Sequence, residues 1–122
     1  MTQATAKYIH TAPRKIRLML DGIRGMTAET ALARLSLTPK QTAHDVAAVL
    51  RSALANAKDQ GLSQTNLIVS KAYCDEGPSL KRRVMISRGR ARPIEKKMSH
   101  IHIVLDTPRS TIPSGDTKQT KE

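Results

Sequence analysis

The sequence predicts an α+β fold: a small domain of three helices and short strands that carries one long basic hairpin. Three observations support that reading. Three segments between Pro13 and Gly61 repeat apolar residues at helical spacing. Two runs, at 67–74 and 99–105, are rich in β-formers. Between those runs lies a strongly cationic stretch with few apolar residues to bury. The chain has 122 residues, with 21 Lys plus Arg against 10 Asp plus Glu, and a formal net charge of +11. That length suits one domain with a modest core and argues against a large enclosed catalytic cleft.

Lys7 to Thr11 alternate loosely as a first short strand. Pro13 has the fixed φ of a first helical turn, Ile16, Met19, Leu20 and Ile23 recur at helical spacing, and Gly25 is suited to a left-handed stop. Together they predict a helix over 13–24. Ala12, just before it, has no side-chain oxygen for the free N–H groups. Thr27 is placed to cap a shorter helix whose apolar face is Ala31, Leu32 and Leu35, and Thr38-Pro39 repeats the cap-then-proline start for a third. Along that third helix Ala43, Val46, Ala47, Leu50, Leu54 and Ala57 form one stripe, closed by Gly61.

A polar turn at Ser63 to Asn66 leads into a strand from Leu67 to Cys74. Asp75-Glu76 beside Gly77-Pro78 reads as a turn. The partner strand, Ser99 to Leu105, alternates Ile101, Ile103 and Leu105 with His100, His102 and Val104. The domain is expected to span 1–106. The tail 107–122, with Pro108, Pro113 and Ser114-Gly115, lacks an apolar period and is expected to be disordered or loosely held.

From Lys81 to Lys97 there are eight basic residues and one acidic, a local charge of +7 out of +11. Such a segment is either a solvated loop or localisation signal, or an extended hairpin at about 77–100 that turns at Gly89. The flanking strands favour the hairpin, whose legs would reach ~36 Å at ~3.3 Å per residue. A lone two-stranded ribbon buries too little to stand in water, so it needs a partner along both faces.

The charge selects an anionic partner, most often nucleic acid. Tyr8 and Tyr73, the only aromatic residues, are too few for a base-stacking platform, which leaves phosphate contact and shape recognition. Arginines dominate the arm, and a guanidinium bridges two phosphate oxygens where lysine offers a point charge. Ser87, Gly89 and Ala91 are small enough for a tip that passes between packed backbones. The cluster Arg14-Lys15-Arg17 is a further candidate for phosphate contact, and a plain surface face accounts for it nearly as well.

A single cysteine, Cys74, excludes an internal disulfide framework and a multi-cysteine zinc site, and fits a reducing compartment. No segment has the ~20 apolar residues of a membrane span, and the start lacks an apolar signal core, so an intracellular protein without membrane contact is expected. Enzyme signals are weak. The pair His100 and His102, together with Cys74 or Asp106, is the one metal-site alternative, which would make a metal-dependent hydrolase. A repressor reading DNA through a basic ribbon is the other alternative, and it would require a dimer.

Six motifs in one register then carry a resemblance. They are Pro-Arg-Lys-x-Arg-Leu at 13–18, Ile23-Arg24-Gly25, Ser52-Ala53-x-Ala55-Asn56-Ala57, Asp75-Glu76-Gly77-Pro78-Ser79-x-Lys81-Arg82, Gly89-Arg90-Ala91 and Ser99-His100-Ile101. From about Lys7 to Asp106 the chain resembles the bacterial-type protein 22 family of the large ribosomal subunit. The resemblance implies a three-stranded antiparallel sheet packed on three helices with a long protruding β-hairpin, and a structural protein of the cytoplasmic ribosome rather than an enzyme. No cofactor and no metal are implied.

The implied partners are large-subunit ribosomal RNA of the 23S type, neighbouring large-subunit proteins, and the nascent peptide at the hairpin tip, in the exit tunnel. A role in subunit assembly is implied too. Carried onto this chain, RNA contacts fall on Lys81, Arg82, Arg83, Arg88, Arg90, Arg92, Lys96, Lys97 and His100, with Arg14, Lys15 and Lys40 as weaker candidates. The tunnel tip is Arg88, Gly89, Arg90, Ala91 and Arg92, and the segment matching macrolide-response changes is Leu80, Lys81 and Arg82.

The chain departs from the family pattern at Ala12, where Ser is usual, at Met85-Ile86, where Pro-Arg is common, and at Pro93 and Glu95. Pro93 is expected to remove at least one ladder hydrogen bond from the outbound leg.

Overall fold

The longest apolar stripe in the sequence becomes the longest helix, and the remaining elements pack around it. The computed structural model describes residues 1–108, in the order β1 (Thr2–Ile9), α1 (Pro13–Asp21), α2 (Ala28–Leu37), α3 (Gln41–Asp59), β2 (Ile68–Met85) and β3 (Ala91–Asp106). Short 3₁₀ turns at Gln64–Asn66 and Ser87–Gly89 precede β2 and β3. The fold is the α+β one expected: an antiparallel sheet in the order β1-β3-β2, with the helices on one face. Most of the expected tail, 109–122, lies outside the described residues.

On α3 the stripe residues Ala43, Val46, Ala47, Leu50 and Ala57 are buried, joined by Val49 and Ala53, while Leu54 is half-buried. The stripe is wider than the sequence suggested because α3 touches both other helices and the sheet. Ile16 and Leu20 of α1, Ala28, Ala31 and Leu35 of α2, and Val69, Ala72, Ile101, Ile103 and Leu105 of the sheet complete the core.

Several boundaries differ from the sequence reading, each for a local reason. The first strand begins at Thr2 rather than Lys7, with Thr2 and Ala4 as its inward residues. Those side chains are too small to register as an apolar alternation, yet they fit between β3 and α3. Where the sequence suggested the start of the strand, Tyr8 has a φ of 58° and the pairing with β3 slips between Ala6 and Ile9, as a bulge does.

The first helix stops at Asp21, not at residue 24: Ile23 N–H donates to Leu20 O at 3.1 Å in a tightened three-residue turn, and the freed carbonyl of Gly22 accepts from Arg34 Nη1 at 2.9 Å. Gly25 does have a left-handed φ of 77°, but in the connection beyond the helix, where its N–H donates to Val69 O. Thr38 ends α2, its hydroxyl donating to Arg34 O at 2.9 Å, so α3 starts later than Thr38-Pro39, with Lys40 as its N-cap.

The strand expected to finish at Cys74 continues through Asp75, Glu76, Gly77 and Pro78 to Met85. Those four residues are no turn. The register with β3 shifts between Glu76 and Ser79, and that bulge absorbs the turn-forming sequence inside the strand. Gly77 suits that close approach: a Cβ would lie 3.2 Å from the Met98 carbonyl group and 3.3 Å from the His100 ring, so a side chain there needs its neighbours to give by a few tenths of an ångström.

Two arginines guard the outer edge of β2. Arg24 Nε donates to Ala72 O at 2.7 Å and Arg17 Nη2 donates to Cys74 O at 3.2 Å, occupying carbonyls that would otherwise invite another strand. Leu50→Ala empties the centre of this core and is expected to cost about 2–5 kcal/mol, measured by urea unfolding of the full chain. Burial pushes the Cys74 thiol above its ordinary value, while Ser99 and Arg17 pull it partway back. The neutral thiol therefore supports the fold fully below the ordinary thiol pKa of about 8.5, and that support fades as pH rises through the raised folded value. Cys74→Ala should make alkaline unfolding curves measurably less steep with pH.

Candidate nucleic-acid interface

The arm begins at the bulge. Beyond it β2 and β3 pair without interruption from Ser79↔Lys97 to Met85↔Ala91, seven pairs that span about 20 Å. The register runs straight through Arg83↔Pro93, so Pro93 leaves the pairing in place while supplying no N–H of its own. At the tip, Ile86 N–H donates to Arg90 O at 2.8 Å, and Arg88 and Gly89 both take left-handed φ values, 63° and 69°. That closure needs two consecutive left-handed residues, which a glycine provides freely and the arginine at a cost.

Opposed residues of an antiparallel pair share a face, so the pairing sorts the charges. One face carries Lys81, Arg83 and Lys97, with Glu95 directly opposite Lys81. The other carries Arg82, Arg92 and Lys96 around Leu80, Val84 and Ile94. Arg88 and Arg90 sit at the tip. Every one of these cations is exposed, and none forms an ion pair among the described residues. Leu80, Lys81 and Arg82 lie near the base of the arm rather than beside the tip, so the two predicted groups on the hairpin are not brought together.

His100 sits half-buried where the arm joins the sheet. Its Nδ1 accepts the Tyr8 backbone N–H at 3.0 Å, and the Tyr8 ring meets its edge at 5.0 Å. With Nδ1 accepting, the neutral ring's proton belongs on Nε2. His102 stacks on Tyr73, and its Nε2 lies 3.2 Å from Asp75 Oδ2. Cys74 pairs with Ile101 and is buried toward the helices, on the face opposite the two histidines, so the imagined His-His-Cys grouping has no common centre. Among the described residues no three His, Cys, Asp or Glu side chains gather at metal-binding spacing.

The remaining predicted residues meet on the globular part. Lys15 and Lys40, far apart in sequence, line one groove of about 540 Å³ with His10, Gln41 and Thr42, where the starts of α1 and α3 come together. Arg14 is exposed on the same first turn of α1. Arg17, by contrast, is spent on the edge of β2. Gln41 and Thr42 escaped the sequence reading because nothing in the sequence tells that these two helix starts adjoin.

Residues 4–106 match the family described as Ribosomal protein L22p/L17e. The chain belongs to that family. Among its relatives is the large ribosomal subunit protein uL22 of Heliobacterium modesticaldum, 45% identical over 104 residues that cover 84% of this chain and 74% of the relative. The protein of the same name from Thermoanaerobacter sp. strain X514 is 46% identical over 104 residues, covering 84% and 94%. The match takes in both the globular part and the arm, so the bulge, the ribbon and its tip all lie inside the L22p/L17e region. Ribosomal proteins of this kind are structural and non-enzymatic.

Gly77→Val drives a branched side chain into the Met98 carbonyl and the His100 ring, and is expected to cost about 1–3 kcal/mol. The loss should appear in thermal unfolding together with displaced resonances of His100 and Tyr8, while Gly77→Ala costs less.

Proposed function

We propose that this large-subunit ribosomal protein binds the subunit's RNA with its basic hairpin, supports subunit assembly, and lines the nascent-peptide exit tunnel with the hairpin tip. The observation that carries the reading is a paired ribbon projecting past the core with the +7 segment exposed on both faces and at its tip. In water such a ribbon has nothing to bury against, and the unpaired cations repel one another. Packed RNA supplies both missing terms at once: phosphates on either side neutralise the charge, and the groove walls cover Leu80, Val84 and Ile94.

In this reading Lys81, Arg83 and Lys97 address phosphates on one side, while Arg82, Arg92 and Lys96 address them on the other. Arg88, Gly89, Arg90, Ala91 and Arg92 form the tunnel-facing end, where small side chains leave room for a passing peptide. Leu80, Lys81 and Arg82, near the base, act in macrolide response by setting how the ribbon is seated rather than by touching the tip. His100 presents its Nε2 side to RNA at the root of the arm.

The test is direct. Binding of the full chain to a large-subunit RNA fragment should weaken with salt at a log-log slope of about −0.7 to −0.9 per phosphate contacted, and replacing Arg88, Arg90 and Arg92 with Ala should flatten the slope by about 2–3. An unchanged slope refutes the arm assignment. The protein should also sediment with large subunits and remain there through a moderate salt wash.

A further inference from the structure

The two edges of the sheet are finished differently. Along β2 the outward backbone groups are taken by the fold itself: Val69 donates to Met26 O and accepts from the Gly25 N–H, while Ala72 O and Cys74 O accept from Arg24 and Arg17. β1, at the opposite edge, has one such contact, Asn56 Nδ2 donating to Gln3 O at 3.1 Å.

The pairing fixes which groups of β1 face out. Ala72 O points away from β3, so its partner Ile103 turns its own backbone groups toward β1, where it pairs with Ala4. Gln3 and Thr5, on either side of Ala4, therefore aim theirs outward. The N–H groups of both, and the Thr5 carbonyl, meet no partner among the described residues. Beyond Ala6 the register slips and Lys7 follows, so the open stretch is short and sits at the start of the strand.

Beside that edge runs a cleft of about 260 Å³, where Ala6 and Ile9 of β1 face Asp45, Ala48 and Ser52 of α3. Asp45 is the only charged residue in its lining, on a chain whose net charge is +11. Its Oδ2 accepts from Thr11 Oγ1 at 3.2 Å, and its Oδ1 is left for a cation. A phosphate backbone would meet a carboxylate here and has no N–H groups for the free ladder. A second copy of the chain would bring +11 against +11. An extended peptide satisfies both features, with its N–H and C=O groups on the ladder, alternate small side chains in the cleft, and a Lys or Arg on Asp45.

We propose that the outer edge of β1 is a docking site for an extended segment of a neighbouring large-subunit protein, which adds a fourth strand to the sheet and sets a basic side chain against Asp45. That the partner is a neighbour in the subunit rests on the ribosomal reading above; the open edge and the acidic cleft do not.

The experiment places a small diazirine side chain at position 52, in place of the exposed Ser52, in the full chain produced in its own host cells. Large subunits are purified, washed with moderate salt and irradiated. The adduct should join the cleft to one defined segment of another large-subunit protein, carrying a Lys or Arg. Thr5→Pro removes an N–H that the sheet does not use and should lower the adduct about fivefold, the loss of one ladder hydrogen bond. Thr5→Val, which gives up only the hydroxyl contact to His102, should leave it unchanged. In the isolated chain the Gln3 and Thr5 amides should exchange rapidly with solvent while the Ala4 amide, bonded to β3, is protected.

An adduct with RNA or with a second copy of the chain overturns the proposal, as does no adduct from a chain that sediments with subunits. Slow exchange at Gln3 and Thr5 in the isolated chain overturns it too, because the edge is then closed from within. A chain that never enters large subunits sinks the ribosomal reading, and the neighbour with it.

Discussion

The structure depends on one strand being paired along both edges. β3 is the central strand: it holds β1 on one side and β2 on the other, and its inward residues Ser99, Ile101, Ile103 and Leu105 are fully buried. The same strand continues outward as a leg of the arm. The ribbon is therefore anchored by the core, and its direction is set where β3 leaves the sheet. Ser99 marks the junction, its hydroxyl donating to Thr11 O while its neighbour His100 accepts from Tyr8. An arm too thin to fold alone is fixed at its root by the best-buried strand in the molecule.

The bulge at Glu76–Ser79 sets which side chains face which way along that continuous strand pair. One extra residue in β2 exchanges which of its side chains face the helices and increases the local twist. Before the bulge Ala72 and Cys74 point to the core; after it Lys81 and Arg83 continue that face, now beyond the helices. Gly77 permits the close approach to Met98 that the bulge demands.

Charge is divided by the same architecture. Arg17, Arg24 and Arg34 donate to backbone carbonyls of other segments and belong to the fold, whereas the arm's cations and those around the α1–α3 groove form no ion pair among the described residues, and Arg82 meets only the carbonyl of its neighbour Lys81. Basic residues that look alike in the sequence thus separate into those that close the protein and those available to a partner. Arg17 shows why composition alone misjudges this: it sits two residues from Lys15 yet turns toward Cys74 O.

The helices and the arm are legible in the sequence because their signals are local. Apolar spacing marks a helix face, and +7 within a short segment flanked by strands leaves little besides a projecting ribbon. The beginning of β1 was illegible because Thr2 and Ala4 carry too little apolar surface to show a period, and Asp75–Pro78 read as a turn because local turn preference yields to strand pairing on both sides. By itself the sequence determined where the charge lies, which residues coil, and which family the motifs resemble. Only the tertiary structure decided which arginines are spent, how the bulge turns the ribbon's faces, and that Lys15 and Lys40 share a groove with Thr42. Those outcomes come from packing between segments far apart in the chain, and no pattern of neighbouring residues encodes them.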